Sequence, residues 1–341
     1  MSPGGDPADR EFCRAILPKV SRTFALGIRL LPRGLEGAVR VSYLLCRIAD
    51  TIEDAPELAR DAKRALLGRF RFCLEEGGND VAPLGHLFPD PRSGEERLVR
   101  EADRVLRCYR GLSAAERAAI RPWVQEMALG MAEFAGRRAS PAGRIEALTS
   151  VAELDRYCYY VAGTVGHLLT GLFRIHSARM PPVRYARLEA LAESFGLGLQ
   201  LTNIIKDVGD DRRRGWSFVP QDLCALAGIR PDELQDPDRS PQAHRVMVML
   251  IDKAKRHLRD ALTYCTTLPS AAYRIRIFCL SSLYFAVRTL RLAERDPRLL
   301  DPNHKVKIAR SEVYRTLATT YLVAPFDRLA HGYYLRLAGE G

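Results

Sequence analysis

Apolar residues return at helical spacing along nearly the whole chain. The stripe runs from Phe12 to Leu31, Leu35 to Ala55, Leu58 to Leu74, Glu95 to Tyr109, Ala114 to Phe134 and Val151 to Phe173. It resumes from Tyr185 to Val208, Ala243 to Leu262, Ala271 to Leu292 and Ser311 to Leu337. Each stretch predicts an α-helix, and only short β-like segments interrupt them. Breakers fall between: Gly77-Gly78 through Pro91, Ser140-Pro141, Pro181-Pro182, Gly215 to Pro241, and Pro297 to Asn303. The fold class expected is all-α. No Gly/Ser-rich or Pro-rich linker divides the 341 residues, so residues 1–341 are expected as a single domain, with residues 1–10 as a disordered tail. The longest irregular stretch, from Gly215, has the length of a functional lid.

Composition narrows the setting. Hydrophobic residues make up 47% of the chain, ample for a large core. Cysteines at 13, 46, 73, 108, 158, 224, 265 and 279 stand singly, without CxxC or zinc-like spacing, which reads as reduced thiols of a cytoplasmic protein. The N-terminal MSPGGDPADREFC is too polar and acidic for a signal or transit peptide. No apolar run approaches the roughly 20 residues that span a bilayer, and YYLRLAGEG at the other end is too short and polar for an anchor. The net charge of +11, from 52 basic and 41 acidic residues, is spread over every segment. Nucleic-acid motifs are lacking, so no nucleic-acid partner is expected. The excess suits a solvated surface, polyanionic substrates, or peripheral association with the inner face of a membrane by a monomer.

Two acid-rich clusters change the picture. Asp50-Thr51-Ile52-Glu53-Asp54 and Asp207-Val208-Gly209-Asp210-Asp211 each place two aspartates four residues apart, stacking both carboxylates on one helix face. Magnesium takes one or two protein carboxylates and fills its octahedron with water and phosphate oxygens, so such pairs suit a metal held against a diphosphate. Pro56 and Gly209 put both clusters near helix ends, where they are expected to face each other at the mouth of a cavity. One acidic helix end alone is ordinary solvated charge; two in Leu/Ile/Val contexts point to a site. Arg47 shares a face with Asp50 and Asp54 and suits either diphosphate or an intrahelical ion pair. Gln200, Asn203, Asp207 and Asp211 form a polar stripe on an otherwise apolar helix, which is costly unless a ligand satisfies it. Arg212, Arg213 and Arg214 follow, as phosphate clamps or as solvated charge. Between the clusters, Ala162, Gly163 and Gly166 let a helix or a substrate chain approach closely.

Four segments together, Ser21-Arg22-Thr23-Phe24, the Asp50–Asp54 cluster, Tyr157-Cys158-Tyr159-Tyr160-Val161-Ala162-Gly163 and Gln200-Leu201-Thr202-Asn203-Ile204-Ile205-Lys206-Asp207, resemble the squalene and phytoene synthases, the head-to-head trans-prenyl synthases. The resemblance covers about residues 12 to 320, with the motifs in the family's order. It implies the class I isoprenoid (terpenoid) synthase fold, a helical bundle around a central cavity. It implies magnesium (or manganese) at Asp50, Asp54, Asp207 and Asp211, with Asn203 beside them, and farnesyl diphosphate as substrate. Ser21, Arg22, Thr23, Phe24, Tyr43, Arg47, Gln200, Asn203 and Arg212 are its implied substrate-binding residues.

The implied reaction ionises one allylic diphosphate, adds a second, and loses a proton to give a cyclopropylcarbinyl diphosphate. The tyrosine matching Tyr160 is implicated in that first half. The faces of Phe24, Tyr43 and Phe278 suit developing cations. Within the family, Tyr273-Arg274-Ile275-Arg276-Ile277-Phe278-Cys279 and His304-Lys305-Val306-Lys307-Ile308-Ala309-Arg310 resemble the squalene synthase side, which reduces with NADPH. Lys305, Lys307 and Arg310 are then the expected cofactor-phosphate residues. Phytoene or dehydrosqualene synthesis without reductant, or a partial reaction ending at presqualene diphosphate, stands as the alternative. One departure is Gly215-Trp216, where the family has Gly-Arg; Arg212, Arg213 or Arg214 is the expected substitute.

Overall fold

Ser21 breaks the first apolar stripe into two helices. Its backbone is extended (φ −163°, ψ 114°), and its side chain accepts from the Phe24 backbone N–H at 3.3 Å. Such a serine satisfies an orphan donor of the second helix, which is why the chain turns there although the apolar period continues. The computed structural model describes residues 6–75, 77–78, 82–135, 145–177, 179–213 and 215–340. In chain order the elements are α1 (Pro7–Val20), α2 (Arg22–Arg29), α3 (Arg33–Asp54), α4 (Arg60–Cys73), α5 (Ala82–Gly85), α6 (Gly94–Arg100), α7 (Ala102–Arg110) and α8 (Ala114–Phe134). Strand β1 (Glu146–Ala147), α9 (Val151–Cys158), a π-helical turn (Tyr159–Gly163), α10 (Thr164–His176), α11 (Pro182–Arg213), β2 (Trp216–Ser217) and α12 (Gln221–Leu226) follow. The last helices are α13 (Ser240–Thr267), α14 (Tyr273–Arg295), α15 (Arg310–Val323) and α16 (Asp327–Ala338).

The chain forms two units, residues 1–136 with 164–185, and residues 137–163 with 186–341. In the first, α3 is the central rod. Leu35, Leu44, Leu45, Ile48, Ala49 and Ile52 on it are fully buried against α1, α6, α7, α8 and α10. Each large aliphatic side chain so buried stabilises by roughly 1.5–3 kcal/mol. Residues 7–10, expected within a disordered tail, form the first turn of α1. Asp6 caps α1, and Asp9 is buried where it accepts from Arg104 Nε at 2.9 Å and Arg107 Nε at 2.7 Å. That pairing overrides the polar composition and fixes the segment from Pro7 onward.

In the second unit α13 packs on α14, and α14 on α15 and α16. Tyr284 is buried and donates to the Ala330 carbonyl at 2.9 Å, tying α14 to α16. The stretch from Gly215 to Pro241, expected to be irregular, contains β2, α12 and two short 3-10 turns. Strand β2 pairs in parallel with β1, Trp216 opposite Glu146 and Ser217 opposite Ala147. The stripe from Ser311 to Leu337 divides at Pro325, and that from Glu95 to Tyr109 divides at Glu101. Among the described residues no helix is long and apolar enough to cross a membrane. None of the eight cysteines is bridged in a disulfide, and all but Cys46 are buried.

Candidate active site

Helix α3 delivers the first carboxylate pair, ending at Asp54 because Ala55 is pushed out of helical geometry by Pro56. Arg47 donates to Asp50 and, at 3.0 Å, to the Tyr43 hydroxyl, with its guanidinium 5.7 Å from the Tyr43 ring centroid. Phe24 from α2 lies against Tyr43, ring centroids 5.5 Å apart, so the Ser21 cap positions a ring beside the arginine. The Asp50 side chain keeps 36% exposure. Desolvation pushes its carboxyl up to about 6, against the pull of Arg47 and with the help of the Asp54 charge. Glu53 is raised well above the usual carboxylate range, by burial and then by Asp54 and Asp50, although Lys63 opposes and donates to its backbone carbonyl. Asp50, Glu53, Asp54 and nearby Glu95 thus crowd more negative charge than Arg47 and Lys63 offset. An all-oxygen set with surplus negative charge fits a hard divalent cation. The side chains of Arg22 and Thr23 lie outside the described residues.

In the second unit α11 carries Gln200, Asn203, Asp207 and Asp211 on its outer stripe. Asn203 is exposed and the others half-buried, while Leu201, Thr202, Ile204, Ile205 and Val208 are buried behind them. Gly209 does not end this helix, which continues to Arg213. A methyl group there would meet the Asp301 carbonyl at 2.9 Å and Pro302 Cα at 3.0 Å, so the glycine admits the 301–302 backbone. Lys206 pairs with Asp207, and Asp210 is gripped by Lys305 and Arg213. Those contacts, Lys305 foremost, hold the Asp210 carboxyl below the usual range. The late basic segment therefore packs on the second acid cluster, a proximity with no local signal because nearly a hundred residues separate the two. Among the described residues no group of three or more His, Cys, Asp or Glu stands close enough together to hold a metal ion by itself.

The tyrosine segment forms the π-helical turn, a geometry that recurs at functional sites. Gly196 of α11 makes room for it: a methyl there would stand 2.2 Å from the Ala162 carbonyl oxygen. The small residues thus serve close helix packing, and that packing holds Tyr160, half-buried, with its ring 5.4 Å from Tyr159. Trp216 meets Phe218 edge-on at 5.2 Å, and Phe218 lies 4.6 Å from the Tyr157 ring, so the residue replacing the family's arginine belongs to an aromatic cluster. Arg212 donates to the carbonyls of Pro231, at 2.8 Å, and Asp232, which anchors the turn after α12. Arg213 is turned to Asp210, and Arg214 lies outside the described residues. Phe278 is buried on α14; Lys307 and Arg310 are exposed.

Comparison with known proteins gives these features a context. The chain matches TcSQS in complex with a ligand at a TM-score of 0.82 and 28% identity, covering 98% of this chain and 92% of that one. A dehydrosqualene synthase with ligand matches at a TM-score of 0.65 and 20% identity, over 92% and 95% of the two chains, a likeness of fold alone. The fold is that of the all-α class I terpenoid synthases. The squalene/phytoene synthase family pattern matches residues 17–312, and the chain belongs to that family. Squalene synthase of Schizosaccharomyces pombe is 31% identical over 301 residues, 88% of this chain and 63% of that protein. The Homo sapiens squalene synthase is 29% identical over 278 residues, 82% and 62% of the two. The chain thus spans less than two thirds of the length of these curated relatives.

Proposed function

We propose that the protein is a squalene synthase, joining two farnesyl diphosphates head to head through presqualene diphosphate and reducing the product with NADPH. The observation that carries this reading is the pair of carboxylate sets, Asp50/Asp54 and Asp207/Asp211, each one turn apart near a helix end, in a chain of this family. Each set would hold magnesium, which when bound neutralises the charge of a departing diphosphate. Arg47, steadied by Tyr43, supplies a planar donor for the same phosphate oxygens. The Tyr160 hydroxyl, fixed by the π-helical turn, assists the proton loss that closes the cyclopropane. The rings of Phe24, Tyr43 and Phe278 would each stabilise developing positive charge through their faces. Gln200 and Asn203 orient the second diphosphate. The basic residues near position 305 fit the cofactor in part: Lys305 is engaged by Asp210, and Lys307 and Arg310 would hold its phosphates while it supplies hydride. An apolar product and a basic surface also suit peripheral contact with a membrane.

Product analysis with farnesyl diphosphate and magnesium, with and without NADPH, tests the reading. NADPH is expected to convert the output to squalene, and without it presqualene diphosphate or unreduced products accumulate. Dehydrosqualene or phytoene formed regardless of NADPH would replace the proposal with the carotenoid-type alternative.

A further inference from the structure

Helix α15 is amphipathic in the reverse sense for a surface helix. Its buried side carries Thr316, Thr320 and Val323, while Tyr314, Ala318, Tyr321 and Leu322, at i, i+4, i+7 and i+8, form an outward stripe. The Thr320 hydroxyl donates to the Thr316 carbonyl at 2.7 Å, so the inner face satisfies its polar atoms within the helix. Exposure reaches 68% at Tyr314, 40% at Tyr321 and 74% at Leu322, and continues past the turn with Phe326 at 58% and Leu329 at 53%. Scattered apolar residues on a surface need no explanation, but a run of five over sixteen positions marks an interaction surface.

The charges around the run are one-sided. Glu312 accepts from Arg288 and Asp327 from the buried Arg276, so both acids are neutralised from the protein side. Arg315, its side chain 74% exposed and 3.8 Å from Glu312, and Arg328, also exposed, stand among the apolar residues on the solvent side.

We propose, resting on the peripheral membrane contact in the functional reading above, that α15, the turn at residues 324–326 and the first turn of α16 form a docking face for an anionic lipid surface. Tyr314 and Tyr321 suit the headgroup level, Leu322, Phe326 and Leu329 reach the acyl boundary, and Arg315 and Arg328 meet lipid phosphates. A second copy of the chain fits less well, because a two-fold contact through this face sets the arginines of one copy against those of the other.

Co-sedimentation with equimolar phosphatidylglycerol/phosphatidylcholine vesicles, against phosphatidylcholine alone, tests the proposal. The wild-type chain should partition onto the anionic vesicles. Leu322→Glu with Phe326→Glu should lower that partitioning about tenfold or more. Arg315→Glu and Arg328→Glu should each lower it by roughly fivefold and weaken its salt dependence. Hydrogen exchange on the unaltered chain, which needs no variant to fold, should show vesicle-dependent protection confined to residues around 314–329. No binding to anionic vesicles, protection located elsewhere, or variants that bind like wild type would overturn it. So would a dimer in sedimentation velocity without lipid that Leu322→Glu abolishes, since the face would then serve a second copy.

Discussion

Gly196→Ala adds a single methyl group where α11 meets the π-helical turn, and its cost follows from the backbone atoms it would meet. The new carbon would stand 2.2 Å from the Ala162 carbonyl oxygen, 2.5 Å from the Ala162 carbonyl carbon and 2.8 Å from the Gly163 nitrogen. Carbon contacts settle at about 3.5–4.0 Å, so one backbone must retreat by about 1 Å or more. All three neighbours are main-chain atoms and no rotamer can relieve them. Overpacking of this kind costs about 1–3 kcal/mol, with backbone contacts at the upper end. Alanine in place of glycine inside a helix returns about 0.8–1 kcal/mol. The net expectation is a loss of about 2 kcal/mol, read as a lower urea midpoint at unchanged slope. Gly332→Ala is the internal control. It lies on exposed helix with nothing within 4 Å of a new methyl, so only the propensity gain applies and stability should rise by about 0.5–1 kcal/mol. Because the displaced turn carries Tyr160, the folded fraction of Gly196→Ala should also form the cyclopropyl intermediate more slowly. A Gly196→Ala protein as stable as wild type, beside a stabilised Gly332→Ala, would refute the close approach.

Asp50→Asn or Asp207→Asn should lower turnover by about a hundredfold or more at saturating magnesium, with circular dichroism unchanged, because leaving-group stabilisation is lost without disturbing the core. Near wild-type rates in either would remove that residue from the metal site. Tyr160→Phe should slow formation of presqualene diphosphate by roughly 10²–10⁴-fold while supplied intermediate is converted at close to the normal rate; equal damage to both halves would mean a structural role. Asp9 titrates below its unfolded value of 3.8, through its bond to Arg107 first and against desolvation, so it stabilises above about pH 4 and that contribution is lost as pH falls through the folded value. Asp9→Asn should therefore cost about 1–2 kcal/mol at pH 7, the arginines being partly solvated, and the gap to wild type should close in acid denaturation curves below pH 4. A gap that persists there would point to packing instead.

The helices were legible because their buried faces repeat at 3.6 residues, and the carboxylate pairs because four-residue spacing is itself geometry. What escaped were places where a side chain or a distant backbone overrode the period. Ser21 stops α1 with a cap while Val20 and Ala25 keep the apolar rhythm going. The π-helical turn leaves the apolar pattern of Val151 to Phe173 unbroken, and its small residues point to close packing without pointing to the extra residue in the turn. Gly209 reads as a helix breaker along the chain, yet its role is to admit Asp301 and Pro302. Arg212 reads as a phosphate clamp from its neighbours in sequence, and in space it meets two carbonyls from the turn at 231–232. The Ser21 cap is a local contact and the other three are set farther along the chain, and periodicity encodes neither kind.

The fit of residues 301–305 against the end of α11 bears on how members of this family change over time. Gly209 and the Asp301–Pro302 backbone share one space, and Asp210 and Lys305 share one charge balance. A side chain at 209 is tolerated only if the 301–302 backbone withdraws, and a neutral residue at 305 strips a partner from Asp210. The two segments must then drift as a pair. A chimera that imports residues 296–310 from another family member without residues 207–213 would disturb the second carboxylate set even with every aspartate in place. The unit of transfer between family members is the two segments together.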